Sequence, residues 1–384
     1  MEFGWPEAQR KYRERVRSII DRDLPEDWPE IHRHGLASPE QAKAGRVFAG
    51  KLAKEGLLVQ HWPKEFGGGD GEPWEHFILG EEMWPRGEPR GPQYMNVNWL
   101  GPALMKYASA EQRERFLPPI IAGDVIWCQL FSEPSAGSDL AAMQTKSVRV
   151  GEEYVVNGMK VWTSYARLAE WGFLLTRSGP ARRDITILLV DMKSPGITIR
   201  PFPGIVEDGH LHEVYFDNVR VHVENRLFEE NRGWEPVTYA LNYERVGVQR
   251  YQIIHDAMHQ AVKELKRRGT FDNDPLVQRD AGIVLAKCEA SRLISYEVVD
   301  QRARNLPPSE DASVARMSAK ECIMAFNDFV STWMPEVLSE EPIGGDWQLS
   351  WAHSFTIASA IAAGAYEIQC DIVATRQLGL PRGA

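Results

Sequence analysis

The period of the hydrophobic pattern changes twice along this chain, and each change narrows the folds open to it. From residue 7 to about 122 apolar positions recur at helical spacing. "EAQRKYRERVRSIIDRDL" is amphipathic, "SPEQAKAGRVFAGKLAKEGL" opens with Ser38 as a cap and Pro39 at the first helical position, and "SAEQRERFLPPIIAGD" starts from a second serine cap. From about 123 to 229 the period becomes two. "KSVRVGEEYVVNGMKVW" alternates on both sides of Gly151-Glu152, the mark of a hairpin, and "EWGFLLTRS", "DITILLVDM", "GITIRPF" and "HEVYFDNVRV" follow as short strands. Seven or so strands without intervening helices predict a compact antiparallel barrel or sandwich. Long helical patterns then return over 234–267, 275–304, 311–333 and about 348–379, which predicts an antiparallel bundle. The expected fold class is α+β: an N-terminal helical domain (1–122), a middle antiparallel β-barrel (123–229) and a C-terminal four-helix bundle (230–384). A β unit between two helical ones invites a ligand where the three meet.

Composition removes several function classes. A net charge of -10 argues against binding to nucleic acid or to anionic membranes, and any anionic ligand must be held by local groups. Cys128, Cys288, Cys322 and Cys370 are scattered with no CxxC, which predicts reduced packing thiols and neither a disulfide frame nor a metal site. No apolar run approaches the roughly 18 residues of a membrane span. The first residues carry both charge signs and no apolar core, unlike a signal or transit peptide, so a cytoplasmic location is expected. The glycines of "HWPKEFGGGDGEP" resemble a phosphate cradle, but no apolar strand precedes them and no helix start follows, so a plain loop is expected.

One residue breaks the pattern of the first bundle helix. Val237, Leu241, Val248, Tyr251, Ile254 and Met258 mark its buried stripe, and Glu244 falls on that stripe, one turn from Leu241 and from Val248. A carboxylate there is either a buried ion-pair partner, for instance of His255, or a base whose pKa is raised by desolvation.

"CQLFSEPSAGSDLAAMQTK", "YVVNGMKVWTS", "EVYFDNVRV", "ENRGW" and "EIQCDIVATRQLGLPRG", in this order and spacing, resemble the acyl-CoA dehydrogenase family from the first helix to the last residues. The resemblance implies a tetramer built around FAD. Its chemistry takes the α-proton of an acyl-CoA thioester with a carboxylate, passes the β-hydrogen as hydride to flavin N5 and yields a 2-enoyl-CoA. Electrons then go to an electron-transfer flavoprotein. By the same resemblance Trp162 packs on the isoalloxazine and Ser164 bonds near N5, while Gln129, Phe131 and Ser132 serve the pyrimidine edge. Ser138 touches the CoA arm. Arg268, Phe271 and Gln278, in "RRGTFDNDPLVQ", reach a neighbouring subunit's FAD pyrophosphate, although the segment to Gln278 is one residue shorter than the family's pattern.

Many members carry the base late in the chain, where this sequence reads "IAAGAYEIQ" and places Ala363. Alanine cannot take a proton, but its backbone N–H remains to polarise the thioester carbonyl. A second branch carries the base on the first bundle helix, in a segment that "LNYERVG" matches, which implies Glu244 as base with Arg245 behind it at the substrate. Glu367 is a rival that the family's spacing assigns to the cofactor contacts. Ala365, Cys370, Ser339 and Glu340 depart from the family on the adenine side of the FAD site, and acidic Glu340 and Glu341 are poor neighbours for a pyrophosphate. The mixture is similar to that of actinobacterial members that act on steroid side-chain thioesters as α2β2 pairs. It implies one half of such a heterotetramer, with an ordinary homotetramer, a non-catalytic structural subunit and a flavin oxidase or monooxygenase on the same fold as the other readings.

Overall fold

Capping chemistry sets where the first helices begin. The computed structural model describes residues 5–33, 35, 37–206, 210–244, 250–306, 309–339, 347–362 and 364–381. Helices α1 (Glu7–Asp23), α2 (Trp28–Arg33), α3 (Pro39–Lys54), α4 (Pro73–Met83), α5 (Gln93–Met95), α6 (Gly101–Tyr107) and α7 (Ala110–Ile121) precede the sheet. At α3 the Ser38 hydroxyl accepts from the Gln41 N–H at 3.1 Å. At α7 Ser109 and Gln112 bond each other's backbone N–H at 3.2 and 3.1 Å, a reciprocal capping box.

Strands β1 (Trp127–Leu130), β2 (Lys146–Val150), β3 (Glu153–Ser164), β4 (Trp171–Arg177), β5 (Ile185–Asp191), β6 (Ile197–Phe202), β7 (Leu211–His222) and β8 (Arg226–Leu227) form one eight-stranded sheet. The order is β6-β7-β3-β2-β4-β5-β8, with β1 on β4. The hairpin turns at Gly151, whose φ of 63° suits glycine, and Val150 pairs with Glu153 across it. The sheet is not wholly antiparallel, because β1 runs parallel to β4. The chain leaves β1, forms the β2–β3 hairpin and returns in the same sense, the crossover that a parallel pair requires.

Helices α8 (Trp234–Glu244), α9 (Arg250–Arg267), α10 (Thr270–Asn273), α11 (Pro275–Ala303), α12 (Asp311–Trp333), α13 (Trp347–Ile361) and α14 (Tyr366–Ile372) follow. The helix expected over 348–379 is broken between Ile361 and Tyr366. Gly364 has φ 90°, a left-handed conformation that an α-helix cannot pass through.

The chain divides into two compact units, one from residues 1–18, 72–88 and 245–384, the other from 19–71 and 89–244. In the first, α9, α11, α12 and α13 pack on one another. A buried carboxylate anchors α1 and α4 there: Glu81 accepts from the phenols of Tyr251 at 2.6 Å and Tyr296 at 3.0 Å and pairs with Arg13, which also bonds Glu82 at 2.7 Å. Trp5, Trp74 and Tyr296 meet edge to face around it. Cys288 on α11 and Cys322 on α12 are free, buried thiols brought to 3.1 Å. The second unit holds the sheet, with β4 and β5 buried along most of their length. Among the described residues no single helix is long and apolar enough to cross a membrane.

Candidate active site

The sheet presents one large aromatic ring to the outside. Along β3 the pairing with β7 slips between Lys160 and Thr163, so two residues bulge where one is opposed. Trp162 sits in that bulge with φ 60°, and Tyr165 beyond it has φ 62°. Positive φ in bulky residues is strained and tends to be kept where function needs it. The strain turns Trp162 out of the core: it is 60% exposed, with the Phe202 ring edge-on at 5.0 Å. A barrel-core role for this tryptophan is thereby ruled out.

The segment before β2 is tied beneath the bulge by a buried ion pair that the sequence reading missed. Lys160, fully buried on β3, donates to Glu133 at 2.8 Å and to the Phe131 carbonyl at 3.0 Å. Glu133 also accepts from the backbone N–H groups of Gln144 at 2.5 Å and Thr145 at 3.0 Å. Burial pulls the Lys160 ammonium down to about 8 against the attraction of Glu133, so it remains charged at neutral pH. The Ser132 carbonyl accepts from the Val161 N–H at 2.9 Å. Both carbonyls are thus engaged, and the side chains of Gln129 and Ser132 bring an amide and a hydroxyl that can donate. The Phe131 ring is buried against Trp99 and Phe173, so any ligand contact of this residue is through its backbone. Gln129, on β1, and Ser132 are half-buried, while Ser138 is exposed beyond them.

Ser164 lies two residues past Trp162, its hydroxyl 3.3 Å from His210 Nε2. Burial lowers the His210 pKa to about 4, which keeps the imidazole neutral at working pH. An outward indole with the Ser164 hydroxyl beyond it and the amide and hydroxyl of Gln129 and Ser132 on the segment tied to β3 fits a flat ring with a polar edge, as a flavin has. Trp162→Ala is expected to weaken flavin binding roughly tenfold, the scale of one lost ring stack. Because the side chain is exposed, unfolding stability should change by less than about 0.5 kcal/mol; flavin titration and urea unfolding check the two halves separately.

His32 and His61 share the lowered pKa of His210, each near 4 through burial, although Gln41 and the Val97 carbonyl bond them. With folded values below the unfolded value near 6.5, the unfolded chain binds more protons between pH 6.5 and 4. Stability is therefore full above pH 6.5 and falls as pH drops toward 4, by roughly 1–3 kcal/mol per histidine. Urea midpoints between pH 7.5 and 4.5 should show this fall, and His61→Asn should flatten it.

The residues expected on the adenine side are in the bundle unit. Arg268 is at the surface and held by two carboxylates, Glu264 at 2.6 Å and Glu336. Phe271 is half-buried, and exposed Gln278 donates to its carbonyl at 2.8 Å, so these two stay together within one turn and loop. Glu367 is exposed in the first turn of α14. Two buried cations of α12 went unnoticed in the sequence: Arg316 bonds the carbonyls of Ser359, at 2.7 Å, and Ala362, and Lys320 bonds that of Gly364, at 2.5 Å. Glu244 ends α8, but its side chain lies outside the described residues, as do Arg245, Ala363, Glu340 and Glu341.

Three family models match nearly the whole chain: acyl-CoA dehydrogenase, N-terminal domain, at residues 6–124; its middle domain at 128–219; and its C-terminal domain at 231–378. Acyl-CoA dehydrogenase IpdE1 of Mycobacterium tuberculosis is 31% identical, over 97% of this chain and 98% of its own length. Acyl-CoA dehydrogenase FadE34 of the same organism is 33% identical over 86% of this chain, which spans about half, 46%, of that longer protein. Among solved structures, the Tcur3481-Tcur3483 steroid ACAD matches with TM-score 0.87 at 28% identity, covering 100% of both chains. The ChsE4-ChsE5 complex from Mycobacterium tuberculosis matches at TM-score 0.84 and 30% identity, again over 100% of both.

Proposed function

Because the chain belongs to the acyl-CoA dehydrogenase family, oxidoreductases acting on a CH–CH bond of an acyl-CoA, we propose that Glu244 is its base and a bulky, steroid-type acyl-CoA its substrate. The observation that carries the reading is the outward Trp162 indole on its strained bulge, a surface made to be covered by a flat ring. FAD, when bound there, supplies the acceptor to which the β-hydrogen passes as hydride. The chain's own part is to hold that ring and take the α-proton. Trp162 stacks, Ser164 with the side chains of Gln129 and Ser132 sets the polar edge, and Glu244 receives the proton. The N–H of Ala363 polarises the thioester carbonyl, and Arg316 and Lys320 steady the neighbouring carbonyls of Ala362 and Gly364. Ser138 and Arg245 meet the CoA portion. The product is a 2-enoyl-CoA, with electrons leaving to an electron-transfer flavoprotein in the cytoplasm.

The pairing of Arg268 with Glu264 and Glu336 favours a heteromeric enzyme over a homotetramer. A pyrophosphate approaching Arg268 meets two carboxylates already in place, so this chain's adenine-side half is weak, and a homologous subunit of α2β2 type completes it. Flavin absorbance per chain tests the assembly. Little FAD in the chain purified alone, restored on co-purification with a homologous partner, is the expected result; about one FAD per chain in the isolated protein would sink the heteromer and leave a homo-oligomer.

A further inference from the structure

Outside the site just described, two histidines among the described residues have the spacing of a metal chelate. His255 and His259 stand one turn apart on α9, in "HDAMH", with their Nε2 atoms 3.3 Å apart. The ring centroids are 4.5 Å apart, only 1.2 Å more than the nitrogens, so the two rings do not meet head-on as an aligned N–H···N bond needs. They meet edge to face, with 72° between their planes, and a turn of each ring about its own side chain is what would aim both nitrogens at one ion. A metal about 2.05 Å from each nitrogen would subtend an angle of about 107°, close to tetrahedral. His259 is exposed and His255 half-buried, so the outer positions are open to solvent.

We propose that His255 and His259 form a two-histidine chelate for a borderline divalent transition metal such as Zn²⁺ or Cu²⁺, with water or another ligand in the remaining positions. Imidazole favours these ions over Mg²⁺ or Ca²⁺. No group of three or more metal-binding side chains exists among the described residues, so the protein contributes two ligands. Asp256, beside both imidazoles, adds a favourable field, while Glu289 of α11 is drawn to Arg292 at 2.8 Å and does not compete. Chelation across one turn also clamps α9 in its helical state, so binding couples to stability.

Calorimetric titration of the full-length protein with ZnCl₂ and CuCl₂ tests the site, beside thermal unfolding with and without metal. Saturable one-to-one binding, tighter for Cu²⁺ than Zn²⁺, is expected. Affinity should fall at least roughly tenfold in His259→Ala and again in His255→Asn, with the metal-induced rise in Tm lost in both. His259 is on the surface, so that variant folds. Binding in wild type no tighter than in the doubly substituted protein, or binding of Mg²⁺ as tight as that of Zn²⁺, overturns the proposal.

Discussion

Glu244→Gln is expected to lower kcat for acyl-CoA dehydrogenation about 10³-fold, near 4 kcal/mol of barrier, the middle of the range for a positioned general base. The amide keeps the size of the side chain and cannot accept the α-proton. The sequence puts this position on an apolar stripe, a setting costly for a charge, which is what lifts a carboxylate toward neutral pH. KM, flavin content and the urea midpoint should change little, since only the proton acceptor is removed. Glu244→Asp should keep part of the rate. Glu367→Gln, exposed on α14, should keep nearly all of it. Anaerobic bleaching of the flavin by a steroid-type acyl-CoA reads the step directly. Glu244→Gln activity within tenfold of wild type would falsify the base assignment and turn attention to the non-catalytic subunit reading.

Signals within a few residues of one another were legible in the sequence. The Ser109–Gln112 box and the Gly151 turn depend on local backbone chemistry, and both occur where their residues predict them. Glu244 was visible because a charge on an apolar stripe violates a period. Lys160 violates the period-two pattern of β3 in the same way, between inward Val156 and the bulge, and the same test applied there would have marked it as buried and paired. The outward turn of Trp162 was not legible, because a bulge is a slip of two strands against each other and neither strand shows it alone. Nor was the Glu336 contact to Arg268, 68 residues away, or the meeting of Cys288 with Cys322. Such pairings arise only when separate helices pack, and one sequence carries no record of register between them. Gly364 is a middle case: a glycine inside a helical pattern is tolerated as often as it breaks the helix, and its φ decides.

Lys160→Met should destabilise the sheet unit by roughly 3–5 kcal/mol, the cost of removing one partner of a buried pair. Methionine fills the space, so the loss is electrostatic: Glu133 keeps its charge, at 5% exposure, on the N–H groups of Gln144 and Thr145 and without its cation. The carbonyl of Phe131 also loses its Lys160 donor, which leaves the Val161 N–H to the Ser132 carbonyl as the tie described above between this segment and β3. Flavin affinity should therefore fall together with stability, although Lys160 itself touches no ligand. Glu133→Gln in the Lys160→Met background separates the two effects. The amide removes the stranded charge while its oxygen still accepts from a backbone N–H, so the urea midpoint should recover part of the way. Flavin affinity should recover less, because the Phe131 tether is still missing. If Lys160→Met unfolds within 1 kcal/mol of wild type, the pair is not what fixes this segment. If the double variant restores flavin binding fully, the charge of Glu133 and not the tether governs the cofactor edge.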